Sequence, residues 1–179
     1  MRHTINKLWW LWWLLLVSPL LAYSQSNDSA VIKAALSYNF AKYTQWPDSA
    51  IADELTLCYF NSVYQVGFEK FADKKINVKT VQSRQLTTID DVDGCQLLYI
   101  DSENQTILPQ LLTYLKAKPI LTVSDMPGFI DSGGMIEIVS KANKFRFKVN
   151  LLQLQQHDLT ISSQVLKLAI EVKRGNITR

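Results

Sequence analysis

Few residues in this 179-residue chain could do chemistry, because it has only two histidines and two cysteines. His3 lies in an apolar N-terminal leader. A Ser/His/Asp or Cys/His arrangement would therefore have to use His157. That residue sits in the polar stretch Gln155-Gln156-His157-Asp158 and reads as a solvated surface histidine. A general base needs a nucleophile within reach, and none is signalled here. There is no G-x-S-x-G elbow or G-x-x-x-x-G-K phosphate loop, and the six glycines form no G-x-G-x-x-G. His157 with Cys58 and Cys95 cannot complete a tetrahedral zinc site. Asp90, Asp91 and Asp93 look like part of a calcium loop, but Cys95 falls where the next ligand belongs and the later glutamate is missing. They read as a solvated turn. The expectation is no catalytic residue, no metal and no cofactor.

Two segments are better suited to binding. In Ser124-Asp125-Met126-Pro127-Gly128-Phe129, followed by Gly133-Gly134, Pro127-Gly128 makes a turn and the glycine pair allows unusual backbone angles. One reading is a ligand- or partner-binding loop, with Asp125 as polar anchor and Ser124, Phe129, Gly133 and Gly134 around it. The other has Asp125 capping backbone amides and Phe129 in the core. Further on, Phe145, Phe147 and Val149 alternate with Lys144, Arg146 and Lys148. The basic stripe either protects a strand edge or docks an acidic partner.

Composition bounds the rest. At 47% hydrophobic and 20% charged residues, the chain is globular rather than disordered. A net charge of +3 is too small to imply nucleic-acid binding. Arg2, His3 and Lys7 precede the ten-residue apolar run Leu8–Val17, then Ser18-Pro19 and Ala22-Tyr23-Ser24. This reads as a secretory signal peptide, residues 1–24, with an uncleaved anchor as the alternative. Its removal takes Arg2 and Lys7, so Lys+Arg falls from 19 to 17 against 16 acidic residues, leaving 155 residues with net charge +1. Residues 25–179 make one domain with a real core. Both cysteines lie in the exported part, and an even count there favours a disulfide. A bridge closing 37 steps of chain stabilises by roughly 4 kcal/mol on the chain-entropy view. Two buried free thiols remain the alternative.

These residues must be positioned by the elements around them. Val31, Ala34, Ala35, Tyr38 and Ala41 recur at helical spacing, ending at Trp46-Pro47. Apolar runs at 55–60, 95–100 and 119–123 read as strands, and 75–82 as another. Residues 63–72, 107–117, 151–156 and 163–172 read as helices, and 135–140 with 144–150 as a hairpin. This order predicts an α/β three-layer αβα sandwich, with a mostly parallel central sheet and a C-terminal antiparallel hairpin at an edge. The loop after 119–123 is the best-placed site, beyond the carboxyl end of a strand.

Several segments also resemble a known family, in order along most of the chain. They are Ala34-Ala35-Leu36-Ser37-Tyr38-Asn39-Phe40-Ala41-Lys42-Tyr43-Thr44-Gln45-Trp46-Pro47, Leu121-Thr122-Val123-Ser124-Asp125-Met126-Pro127-Gly128-Phe129, Gly133-Gly134-Met135-Ile136, Phe145-Arg146-Phe147-Lys148-Val149-Asn150, and Leu159 to Ala169. Together they are similar to the YfiR/HmsC-like family. The resemblance implies a periplasmic αβα regulator without chemistry of its own. Such a protein binds the periplasmic part of an inner-membrane signalling protein, a diguanylate cyclase or a sensor kinase, and represses it, modulating cyclic di-GMP and biofilm formation. It also implies a homodimer and a redox-sensitive disulfide, for which Cys58 and Cys95 are the pair. Two other readings stand beside this one. The first is a periplasmic small-molecule binding protein that feeds a membrane sensor through the Ser124–Gly134 loop. The second is a hydrolase using His157 or an aspartate.

Overall fold

The structure is a computed structural model that describes residues 20–50, 53–142 and 144–175. Residues 1–19 of the expected signal peptide lie outside the described residues. In chain order the helices are α1 (Leu20–Lys42), α2 (Gln65–Glu69), α3 (Leu108–Tyr114), α4 (Leu151–Gln156) and α5 (Ser163–Leu168). The strands are β1 (Thr44–Gln45), β2 (Glu54–Tyr59), β3 (Lys75–Ile76), β4 (Lys79–Gln85), β5 (Leu97–Ile100), β6 (Leu121–Ser124), β7 (Ile136–Lys141), β8 (Lys144–Asn150), β9 (Thr160–Ile161) and β10 (Glu171–Lys173). Among the described residues, no helix is long and apolar enough to cross a membrane.

Eight strands form one sheet in the order β10-β8-β7-β6-β5-β2-β4-β3, and β1 pairs with β9 in a separate two-stranded ladder. From β7 through β4 the neighbours are parallel. Every residue of β5 and β6 is buried, as a central strand covered on both faces requires. One face carries Leu57, Leu97, Tyr99 and Val123 against Ala34, Phe40 and Phe68 of α1 and α2. The other carries Cys58, Leu98 and Ile100 against Leu108 and Leu111 of α3 and Leu115 just after it. Helices on both sides of a mostly parallel sheet make the expected αβα sandwich. The expected hairpin is β7–β8, continuous with the sheet through β6.

Small residues set the spacing of the α1–α2 layer. A Cβ on Gly67 would come within 2.9 Å of the Ala34 Cβ, so this close approach requires glycine.

Three expectations change. Residues 75–82 are not one strand: Asn77 takes a positive φ of 55° and Val78 is 82% exposed, splitting the segment into the β3–β4 hairpin. The last helix stops at Leu168, not 172. Ala169 turns extended, and Glu171–Lys173 form β10. The β-branched pair Ile170 and Val172 favours a strand once the backbone leaves the helix. Consequently β8 is not at an edge: β10 pairs with it in parallel and Ile170 N donates to Phe147 O at 2.9 Å.

Candidate functional site

Strand β2 came first in the sheet, with β4 on one side and β5 on the other. The connection therefore reverses direction between β2 and β5, and the ends of β2, β5 and β6 open onto the crevice where ligands of such sheets bind. Polar groups converge there from four elements. Asn61 Nδ2, after β2, donates to Glu103 Oε2, after β5, at 2.7 Å. Asp101, at the end of β5, is buried and accepts from Glu103 N at 2.9 Å and Asn104 Nδ2 at 2.8 Å. Burial pushes its carboxyl up, against the pull of those donors. Beneath, the Tyr64 and Tyr99 hydroxyls lie 3.4 Å apart. Burial, with Asp125 and Asp101 nearby, raises both tyrosines, so both stay neutral. Lys33 reaches over from α1 to Asp125 at 2.5 Å, and each side chain is 16% exposed.

The loop 124–134 is held from below by buried polar side chains of β6, β7 and β8. Ser124 Oγ accepts from Met126 N at 3.0 Å, and Thr122 Oγ1 accepts from Met135 N at 3.1 Å. Glu137 Oε2 accepts from Ile130 N at 3.4 Å, while Asn150 Nδ2 donates to Ile130 O at 2.8 Å. Each of these side chains offsets its own desolvation by satisfying a loop amide or carbonyl.

The structure thus separates the sequence candidates. Phe129 is 1% exposed and lies in the α3-side core, not on the surface of the loop. Ser124 is fully buried and serves the backbone. Gly134 lies against the Phe129 ring, and Gly133 holds a positive φ of 105°. Asp125 does not cap a loop amide; its partner is Lys33. Lys148 bridges to Glu137 at 3.1 Å and approaches Glu171 at 3.8 Å, which raises the lysine. Of the basic stripe, Lys144 and Arg146 stay exposed. Sequence reading missed Lys33, Glu137 and Asn150. Their spacing carries no motif: they meet the loop only through the fold.

Cys58 and Cys95 form a disulfide with a Cα–Cα distance of 6.0 Å, joining β2 to the turn before β5. Both residues are buried, and one Arg84 nitrogen reaches Cys95 Sγ at 3.2 Å. The same nitrogen donates to Asp93 O at 2.7 Å. Two of the three aspartates of this turn take separate roles. Asp91 accepts from Thr87 N, Thr87 Oγ1 and Thr88 N, which draws its carboxyl down to about 2, and Asp93 pairs with Lys118 at 2.6 Å.

Two cavities flank the loop. One of about 220 Å³ is bounded by Lys33, Asp125, Pro127 and residues Glu137 to Ser140 of β7. The other, about 380 Å³, is lined by Leu112, Leu115, Lys116, Ser132, Gly133, Met135, Gln153 and His157, among others. His157 Nδ1 is 2.9 Å from Gln153 O at the end of α4.

No curated protein matches the chain. Solved structures share its fold, among them the following two. The ABC domain from Streptococcus pneumonia in complex with L-Trp is 12% identical, with a TM-score of 0.52 over 80% of this chain and 60% of that one. A conserved domain protein from Vibrio cholerae O1 biovar El Tor is 9% identical, with a TM-score of 0.50 over 68% of this chain and 55% of that one. The chain spans less than two thirds of either neighbour, and at these identities the likeness concerns fold alone. The profile of one family, described as YfiR/HmsC-like, covers residues 30–170, from the start of the described α1 core to the edge strand, and the chain belongs to that family.

Proposed function

We propose that this protein is a non-catalytic periplasmic regulator that binds the periplasmic part of an inner-membrane diguanylate cyclase and holds it inactive. Membership in the YfiR/HmsC-like family over residues 30–170 carries this reading and supports a periplasmic regulatory role in general. The site chemistry is consistent with contact rather than turnover. Ser124 and Ser132 are spent on the loop's own backbone, Asp125 and Asp131 pair with Lys33 and Lys173, and the tyrosines beneath are held neutral. Regulation then requires a difference in affinity for the two states of the receptor, since equal binding shifts nothing. Deleting the gene is expected to raise cyclic di-GMP and biofilm formation. An unchanged level in a strain that carries the cyclase overturns the reading.

The 380 Å³ cavity beside Gly133 favours a second reading, a small-molecule binding protein that feeds a membrane sensor. A thermal shift with a small-molecule library, abolished by filling the cavity with Gln153→Trp but not by the remote Val78→Leu, is its signature. The absence of any stabilising compound counts against it.

A further inference from the structure

We propose that the free end of β7 is a docking edge for an extended, acidic peptide segment of a protein partner. The inference deepens the contact reading above: it needs a protein partner, but not that the partner be a cyclase.

The β6–β7 ladder ends at Ser124↔Glu137, whereas β7 runs on to Lys141. Ile138, Val139 and Ser140 therefore overhang β6, with β8 alone beside them. Asn150 N donates to Met135 O at 2.8 Å, and the register Ile136↔Val149 sets these two residues opposite one another. Backbone groups of an antiparallel pair point alternately toward and away from the partner strand. Glu137, Val139 and Lys141 thus turn their N–H and C=O toward β8, and Ile138 and Ser140 turn theirs the other way. Ser140 lies past the last residue of β6, and no turn or loop hydrogen bond among the described residues reaches it.

This open edge borders the 220 Å³ cavity, whose other wall is Lys33, Asp125 and Pro127. Asp125 Oδ2 is paired with Lys33, but its Oδ1 is shielded from solvent and has no hydrogen-bond partner among the described residues. A buried acceptor left unmade is costly, and a donor entering the cavity removes that cost. Lys33 spends one of its three ammonium hydrogens on Asp125. One groove therefore offers a strand edge's donor and acceptor, an orphaned acceptor and a cation. A peptide main chain, with N–H and C=O at every residue, matches that set along its length. The neighbouring hairpin tip exposes Lys141, Lys144 and Arg146, and none of them has an ion-pair partner among the described residues. The complementary segment is acidic.

The test is a random linear peptide library displayed on phage and panned against the purified protein, with the enriched sequences resynthesised. Enriched peptides are expected to be rich in Asp and Glu. Their affinity is expected to fall about tenfold when alternate amides are N-methylated, the effect of losing one or two hydrogen bonds. Ser140→Pro, which deletes the open-side N–H, is expected to have the same effect; should that variant fold poorly, the methylated peptides decide alone. No enrichment, or peptides indifferent to methylation, overturns the edge. In a deletion strain, full repression by a folded Ser140→Pro protein overturns the edge and leaves the regulatory reading intact. Peptides that obey the methylation pattern, in a strain whose cyclic di-GMP ignores the deletion, support the edge and sink the cyclase.

Discussion

The ring of Phe129 packs so closely on Gly134 that a methyl group at residue 134 would overlap the Phe129 Cε1. Phe129 is itself locked in the α3-side core with Leu108, Leu111 and Met126. Neither partner can retreat without opening that core. Gly134→Ala is therefore expected to destabilise the protein by about 2 kcal/mol, within the usual range for overpacking. A double-mutant cycle with Phe129→Leu checks the cause: coupling between the two sites is expected, and simple additivity counts against the contact.

The disulfide makes a larger and separable contribution. It closes a 37-residue separation, and breaking it is expected to cost roughly 4 kcal/mol, or about 10 °C in Tm. Because both cysteines are buried in the α3-side core, a thiol reaches the bond only when that core opens. Reduction at a fixed thiol concentration is thus expected to accelerate in urea too dilute to unfold the protein. Calorimetry with and without reductant gives the stability, and thiol titration gives the rate. An unchanged Tm after complete reduction refutes a stabilising bridge.

The sandwich was legible because the short, largely apolar runs around Leu97–Ile100 and Leu121–Val123 mark central strands, and every residue of β5 and β6 is indeed buried. Sequence pattern failed where a single residue decides. Asn77 turns one apparent strand into two, and Ala169 ends a helix whose apolar spacing continues through Val172. At the loop, the motif from Ser124 to Gly134 was visible, but not the direction in which Phe129 points. That depends on Gly134 and on the Leu108, Leu111 and Met126 side chains around the ring, which are contacts and not spacing. Lys33 lies 92 residues before Asp125 in the chain, so no local pattern could pair them.

Asp91 and Asp101 are expected to titrate in opposite directions. Thr87 and Thr88 hold Asp91 near 2, below the ordinary aspartate value of 3.8, and their hydrogen bonds need the ionised form. The stability from this cap is complete above the unfolded value and is lost as pH falls through 3.8 toward 2. Asp101 is raised by burial, so its contribution is present at low pH and lost as pH rises through its folded value. Carboxyl NMR titration reads both directly. An Asp91 midpoint at the ordinary value, or one unmoved by Thr87→Ala, shows that the cap does not form.

Lys148 differs from its neighbours on the basic stripe because Glu137, opposite it on β7, is buried with a side chain only 4% exposed. Its Oε1 faces the lysine at 3.1 Å and its Oε2 faces Ile130 N at 3.4 Å. Lys148→Met removes the counter-charge and leaves a carboxylate inside the sheet, a loss of about 3 kcal/mol. Lys144→Met and Arg146→Met, at exposed positions, are expected to stay within about 0.5 kcal/mol of the parent. Adding Glu137→Gln to Lys148→Met is expected to restore part of the loss, because the amide is neutral and can still receive the Ile130 N–H through its oxygen. Chemical denaturation of the four variants checks the order. Equal losses at all three basic positions would assign the stripe one shared role and remove Glu137 as the reason that Lys148 is a lysine.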